Sequence, residues 1–295
     1  MTTTPAIELS DLYCTSGKFA LGPINTTVPR GCVLALIGPN GAGKTTLLDL
    51  IMGLGRPNRG HIQILGLSQP VDEVAIKARV AYVTPDLNFN VWGTVGRAID
   101  FIRGFYPDWD AARCDRLLKA FELKRTDKIN TLSFGGRIKL SLIMALSRDA
   151  DILLLDEPTV GLDVNARRVL FHEILEIVKN ESRTVVISSH QLDDLERLAD
   201  RCAILVGGQL IAMAPMDGLL DRYRQIDCLI EGRTPTIEGV RVLARQDNRV
   251  RLLIDRSLCP DDALTGGNLQ VVADIPMTLE DLFVALASDM PKVAA

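Results

Sequence analysis

A glycine-rich loop between a buried strand and a helix constrains the fold more than any other feature. The run Val33–Ile37 is apolar throughout, which is typical of a strand buried on both faces of a parallel sheet. A complete Gly-x-x-x-x-Gly-Lys-Thr pattern follows, and residues 45–54 repeat apolar side chains at helical spacing. Such a loop points backbone N–H groups at phosphate oxygens, and the helix N-terminus adds its positive dipole end. We therefore predict a phosphate-binding loop made of Gly38, Pro39, Asn40, Gly41, Ala42, Gly43, Lys44, Thr45 and Thr46.

Two side chains of this loop carry the predicted chemistry. Lys44 would reach the β and γ phosphates of a nucleoside triphosphate, and the Thr45 hydroxyl would take a place on Mg²⁺. A purely structural glycine turn is the alternative interpretation. The strand before the loop and the helix after it favour nucleotide binding, with ATP and Mg²⁺ as the expected ligand and cofactor.

A second motif consists of two adjacent carboxylates at the end of an apolar strand. Residues 152–155 are all apolar, and Asp156 and Glu157 follow directly. Asp156 is placed to hold Mg²⁺ through water, while Glu157 can polarise the water that attacks a γ-phosphoryl group. Adjacent acids after a strand are also common in solvated turns. Their combination with the phosphate loop favours the catalytic interpretation.

Composition excludes several classes of protein. The chain has 295 residues, is 47% apolar and carries a formal net charge of −4, which disfavours disorder and coating of nucleic acid. The apolar runs are far shorter than the roughly 18 to 20 residues that a membrane span needs, and no signal peptide is visible. The six cysteines form no Cys-x-x-Cys pair, so we expect small buried hydrophobes rather than a zinc or redox site.

The order of strand and helix patterns predicts an α/β fold with a mainly parallel sheet. Residues 86–147 lack strand patterns and read as a helical insert. After residue 215 the pattern changes to short β-rich runs, with an amphipathic helix over residues 278–287. We predict an ATPase domain over residues 5–215 and a smaller accessory domain over residues 216–295.

Three further motifs make residues 5–215 resemble the ATP-binding cassette (ABC) ATPases, a branch of the P-loop NTPases. Leu132-Ser133-Phe134-Gly135-Gly136 stands about twenty residues before the acid pair, where the family has its Leu-Ser-Gly-Gly-Gln signature. Gly161-Leu162-Asp163 resembles the D-loop, and Ser188-Ser189-His190 resembles the switch histidine. Taken alone, Ser133 could be a helix cap and His190 a solvent-facing helix entry.

The resemblance implies a head-to-tail dimer of two ATPase subunits. Each ATP would lie between the phosphate loop of one subunit and the signature of the other, formed by Leu132, Ser133, Gly135 and Gly136. Together with Glu157, His190 would orient the attacking water at the γ-phosphate. Asp163 would couple the two sites across the interface.

The sequence departs from the family pattern at three places. The family's Gln after a Tyr-Val-Pro type strand is replaced by Pro85, followed by Asp86. In the signature, Phe134 stands for the first glycine and Gly136 for the Gln. The aromatic that would stack on adenine is missing near Ser16, so Tyr13 and Phe19 are the candidates.

This chain resembles a bacterial exporter subgroup of the ABC-2 type in residues 86–95 and 105–110, in its C-terminal extension (residues 216–295) and in the tail at residues 277–283. The resemblance implies an ATP-hydrolysing subunit that powers export through separate integral membrane permease subunits, cytoplasmic and peripheral at the inner face of the cell membrane. One alternative is a soluble ABC ATPase in translation or DNA maintenance, which the single phosphate loop and its short interval to the acid pair disfavour. Another is a weakly hydrolysing regulatory half of a heterodimer.

Overall fold

The computed structural model describes residues 4–86, 89–181, 183–189, 192–230, 237–259 and 269–287. Within these residues the strands form three sheets, and the helices pack around them. The strands are β1 (Ile7–Ser16), β2 (Phe19–Val28), β3 (Val33–Ile37), β4 (Arg59–Ile64), β5 (Leu67–Ser68), β6 (Val80–Val83), β7 (Ile152–Asp156), β8 (Thr184–Ser188), β9 (Arg201–Val206), β10 (Gln209–Pro215), β11 (Tyr223–Ile230), β12 (Val240–Gln246), β13 (Arg249–Asp255) and β14 (Leu269–Ile275). The helices are α1 (Lys44–Met52), α2 (Glu73–Arg79), α3 (Val95–Arg103), α4 (Ala111–Ala120), α5 (Phe134–Leu146), α6 (Val164–Glu181), α7 (Leu192–Leu198), α8 (Met216–Arg222) and α9 (Leu279–Ala287).

The central sheet has the strand order β10-β9-β3-β8-β7-β6. Strands β9, β3, β8, β7 and β6 run parallel, and β10 pairs antiparallel with β9 at one edge. Every residue of β3, β7 and β8 is buried, as expected for strands covered on both faces. Because these three strands are parallel neighbours, the segments that follow them meet at one edge of the sheet. The predicted α/β fold with a mainly parallel sheet is confirmed.

A second, antiparallel sheet has the order β2-β1-β4-β5. Strands β4 and β5 were not predicted from the sequence. In β4 the side chains of Ile62 and Ile64 are buried, whereas those of His61 and Gln63 are exposed. The buried side chains of this sheet share a core with the apolar face of α1 and with one face of the central sheet. Helix α1 is thereby held between two sheets.

Three helices, α3, α4 and α5, form the predicted helical insert, which we call the arm. Each begins at a polar residue whose side chain accepts a backbone N–H three positions later: Thr94 at 3.4 Å, Asp110 at 2.8 Å and Ser133 at 3.1 Å. Such caps satisfy N–H groups that have no partner within the helix. The insert is confirmed.

The C-terminal residues form a third sheet, of order β12-β13-β11-β14, and the helix α9. One face of the sheet has its own apolar cluster around Ile226 and Leu252. Helix α9 instead joins the core of the ATPase part through Leu282, and the N–H of Leu279 donates to Glu196 Oε2 on α7 at 3.0 Å. The boundary at residue 216 coincides with the start of α8, and we propose the accessory domain on that basis.

Two smaller expectations concern the cysteines and membrane spans. Five of the cysteines are buried as predicted, whereas Cys14 is partly exposed. Among the residues that the structure describes, no helix combines the length and the apolar character required to cross a membrane.

Candidate functional site

The glycine-rich loop lies between β3 and α1, at the edge of the central sheet where the parallel strands end. Gly41 and Gly43 have φ angles of 78° and 102°, a region that residues with a Cβ rarely adopt. A Cβ on Gly43 would also lie 2.7 Å from Cζ of Phe19, which packs on the loop. Helix α1 begins directly at Lys44, so its N-terminal N–H groups face the loop.

Lys44 is buried, with 6% of its surface exposed. Its ammonium donates to the carbonyl oxygens of Gly38 at 2.7 Å and Pro39 at 3.4 Å. It also lies 3.8 Å from Oε1 of Glu157. A positive charge is therefore fixed between the loop and the end of β7.

The carboxylate of Asp156 joins three elements of the site. It ends β7 and is almost fully buried. Oδ2 accepts from the Thr45 hydroxyl at 2.6 Å, and Oδ1 accepts from the Ser188 hydroxyl at 2.6 Å. This role of Ser188 was not predicted, although a polar residue that ends a buried strand beside β7 is a usable signal.

The oxygens of Thr45 and Asp156 suit Mg²⁺, which prefers hard oxygen ligands and keeps several waters. Within the described ranges, no group of three or more His, Cys, Asp or Glu side chains could hold a metal ion alone. The residues therefore fit an ion that is shared with a phosphate ligand rather than one enclosed by protein groups.

Glu157 faces an open pocket of about 410 Å³. Its backbone has a φ of 47°, and its N–H donates to Ser188 Oγ at 2.9 Å, which holds this unusual conformation. The pocket is lined by Phe19, Asn40, Gly41, Ala42, Gly43, Lys44, Thr45, Thr46 and Glu157. The structure thus brings the predicted phosphate loop and the second acid of the pair to one cavity.

The two aromatic candidates for adenine stacking differ in position. Phe19, on β2, lines the pocket. Tyr13, on β1, does not, and the guanidinium carbon of Arg59 lies 5.2 Å from the centre of its ring. Phe19 is the better placed of the two.

A polar pair that sequence analysis missed lies beside this site. The Tyr82 hydroxyl, on β6, donates to Oδ1 of Asp49, on α1, at 2.9 Å. Burial raises the pKa of Asp49, as do the charges of Asp156 and Asp86, while the hydrogen bond from Tyr82 lowers it. Burial also raises the pKa of Tyr82, which stays protonated as a donor. No local sequence pattern pairs these residues, since they are 33 positions apart.

The predicted signature and D-loop contact each other within the chain. Ser133 caps α5, as the simpler interpretation of that residue held. A Cβ on Gly135 would lie 2.1 Å from the carbonyl oxygen of Gly161, so the two backbones touch. Asp163 accepts from Lys139 Nζ at 2.8 Å and from the N–H of Ala166, and these bonds lower its pKa to about 2.

None of the predicted signature residues, nor Asp163, lines the phosphate-loop pocket of the same chain. Their predicted roles, including that of Leu132, stay predictions. His190 lies outside the described residues, and its role stays a prediction as well. Pro85 lies directly after the buried Thr84 and is itself partly exposed.

Gly135→Ala should destabilise the chain by about 1–3 kcal/mol, the usual cost of forcing an extra methyl group into a packed contact. The control is Gly136→Ala on the same helix, where a Cβ would meet only side-chain atoms of Leu132 and Ser133, at 3.3 Å or more. Both changes give the helix a similar gain in propensity. Urea unfolding followed by circular dichroism measures both, and equal stabilities of the two variants would contradict the predicted contact.

Comparison with known proteins places this site in a family. A family model described as "ABC transporter" matches residues 21–160. The "Nod factor export ATP-binding protein I" of Bradyrhizobium diazoefficiens is 31% identical, and the match covers 95% of this chain and 96% of that protein.

Solved structures of ATP-binding cassettes are similar to this chain as well. One described as the ATP-binding subunit of an ABC transporter is 28% identical, has a TM-score of 0.66 and covers 73% of this chain and 92% of its own. A dimeric ATP-binding cassette in a post-hydrolysis state, bound to ADP and Pi, has a TM-score of 0.63 at 21% identity, covers 71% of this chain and 98% of its own, and shows the fold alone.

Proposed function

Because the chain belongs to the ABC transporter family of ATP-binding proteins, we propose that it powers export through separate membrane-spanning subunits. The ATPase part of this proposal rests on four side chains that meet where β3 and β7 end: Lys44, Thr45, Asp156 and Glu157. The exporter part is supported by the match to a Nod factor export protein, which extends over nearly the whole of both chains.

In the proposed mechanism, the N–H groups of the loop and the Lys44 ammonium bind the β and γ phosphates of ATP. Thr45 and Asp156 would hold Mg²⁺, which when bound neutralises charge on the phosphates. Glu157 accepts a hydrogen bond from the attacking water and raises its nucleophilicity. Phe19 stacks on the adenine ring at the rim of the pocket.

We propose that the site is completed by a second ATPase subunit in a head-to-tail dimer. The N-terminus of α5, with Ser133, Gly135 and Gly136, presents backbone N–H groups that suit a phosphate. These groups do not reach the phosphate loop of their own chain, which is consistent with action on the partner's ATP. His190 and Asp163 would then orient the water and couple the two sites.

The arm offers an apolar surface for a membrane partner. Phe89, Trp92, Phe101 and Phe105 form a row, with successive ring centroids 5.9, 5.2 and 5.1 Å apart. The inner ring, Phe89, is buried, whereas Phe101 and Phe105 are 47% and 64% exposed. We propose that this aromatic row docks onto cytoplasmic helices of the permease, which places the chain at the inner face of the membrane.

Phe105→Asp should reduce co-purification with the permease from detergent-solubilised membranes about tenfold, because docking would bury an unpaired charge. The control is Val164→Asp, which changes a slightly more exposed apolar residue at the start of α6. Comparable recovery of the permease with both variants would refute docking through the aromatic row. A chain that never co-purifies with a membrane protein would instead favour a soluble ABC ATPase.

One specific observation favours a second candidate, a weakly hydrolysing regulatory half of a heterodimer. Pro85 has no side-chain group that could contact Mg²⁺ or the attacking water, where the family has a Gln. Phe134 adds bulk beside Gly161 at the signature. Ordinary ATP turnover by the purified chain alone would exclude this candidate.

A further inference from the structure

Asp49 lies one helical turn after Thr45 on α1, so the two side chains share a face of the helix. The Thr45 hydroxyl is engaged with Asp156 at 2.6 Å. The carboxylate of Asp49 is engaged with the Tyr82 hydroxyl at 2.9 Å. Two carboxylates are therefore close to the phosphate loop: Asp156 accepts from the hydroxyls of Thr45 and Ser188, and Asp49 accepts from that of Tyr82.

Tyr82 comes from the strand next to β7, where it pairs with Leu154, two residues before Asp156. Tyr82 also borders a cavity of about 170 Å³ between β6, α3 and α5, together with Phe89 and Tyr106. Its side chain packs in the core that α1 shares with the two sheets, and its hydroxyl reaches Asp49 on α1. Tyr82 thus connects the base of the arm with the helix that begins at the phosphate loop.

We propose that Tyr82 is a positioning residue for ATP binding, whose hydroxyl holds the carboxylate of Asp49 away from the Thr45 hydroxyl and the nucleotide phosphates. The inference rests on the proposed function, because it concerns the same phosphate loop. It assigns a role to Tyr82 and Asp49, which belong neither to the phosphate loop nor to the acid pair nor to the signature.

The charges around Asp49 explain why it needs such a partner. Asp156 and Asp86 are near enough to disfavour its ionised form, and ATP would add further negative charge at the loop. A partly buried carboxylate that loses its donor gains from any other donor within reach. The Thr45 hydroxyl, one turn away, is a donor that Asp49 could take from Asp156. Such a swap would disturb both the loop and the metal-binding oxygens.

Tyr82→Phe removes the hydroxyl and keeps the ring that packs in the core beside α1. We expect it to weaken binding of a fluorescent ATP analogue, titrated in the presence of MgCl₂, about tenfold, the scale of a hydrogen bond to a charged group. Tyr106→Phe is the matched control, because it removes a hydroxyl from a ring of the same cavity. The control should bind the analogue as the wild type does.

Removing the charge of Asp49 should reverse the effect. Asp49→Asn alone should bind ATP within about twofold of wild type, since the amide oxygen still accepts from Tyr82. The double variant Tyr82→Phe, Asp49→Asn should recover near wild-type affinity, because position 49 then carries no carboxylate that could compete for the Thr45 hydroxyl. A merely structural role of the hydroxyl would leave the double variant as weak as Tyr82→Phe.

Two results would overturn the inference: unchanged affinity of Tyr82→Phe, or no recovery in the double variant. If Tyr82→Phe does not fold, Asp49→Glu provides a second test. The longer side chain of glutamate carries the carboxylate past the Tyr82 hydroxyl toward the phosphate loop. Wild-type affinity of Asp49→Glu would then reject the proposal. Failure of the wild-type chain to bind the analogue would instead reject the proposed function.

Discussion

Lys44→Ala is expected to lower the affinity for ATP by about a hundredfold or more. The buried ammonium lies at the loop, within 3.4 Å of two of its carbonyl oxygens, and would exchange these for phosphate oxygens. Each charge-assisted hydrogen bond contributes roughly 1.5–3 kcal/mol, so losing two of them suffices for this change. Isothermal titration with ATP and MgCl₂ measures the effect directly.

The control for Lys44→Ala is Lys119→Ala, which removes an exposed lysine near the end of α4. This variant has the same change in net charge and should bind ATP as the wild type does. Thermal unfolding of both variants shows whether they are folded. Retention of normal affinity by a folded Lys44→Ala variant would refute the assignment of the phosphate loop.

Glu157→Gln should leave ATP binding intact and reduce hydrolysis by roughly 10²–10⁴-fold, the usual contribution of a general base. The backbone N–H that bonds Ser188 is unchanged by the substitution, so the unusual conformation at this position can persist. Only the carboxylate that lies 3.8 Å from Lys44 is replaced by a neutral amide. Phosphate release and nucleotide titration separate the two effects.

The same variant tests the proposed dimer. With hydrolysis stalled, ATP should accumulate a dimer on a size-exclusion column, while the wild type returns to monomer. Glu280→Gln, at an exposed position of α9, is the control and should behave as the wild type. Unchanged turnover would exclude Glu157 as the catalytic carboxylate. A monomer in ATP, at full occupancy, would count against the head-to-tail arrangement.

Local sequence signals predicted the parts of the fold that depend on local chemistry. The loop from Gly38 to Thr45 needs glycines at positive φ, and the strand before it is apolar because both of its faces are covered. The same holds for the cap at Ser133, where a short polar side chain precedes the helix. These features are set within a few residues, so the sequence displays them.

Features that depend on long-range pairing were not predictable in the same way. Strand β4 alternates exposed and buried residues over only its last four positions, which is too short a pattern to distinguish a strand. The contact between Gly135 and Gly161 and the bond from Tyr82 to Asp49 join distant segments. Each of them requires the strand order of the sheet, which local patterns do not specify.

The hydroxyls that hold Asp156 come from residues 111 and 32 positions away along the chain. Such a cluster cannot exist before β3, β7 and β8 have paired, and contacts of this sequence separation form slowly in folding. Partly folded chains would therefore lack the phosphate site, and ATP would bind only molecules that have completed the sheet. When its free concentration is a hundred times its Kd, a ligand that binds only the folded state adds about 2.7 kcal/mol to the free energy of unfolding. Cellular nucleotide thus protects the finished subunit against unfolding, and against the degradation that follows, before any partner is bound.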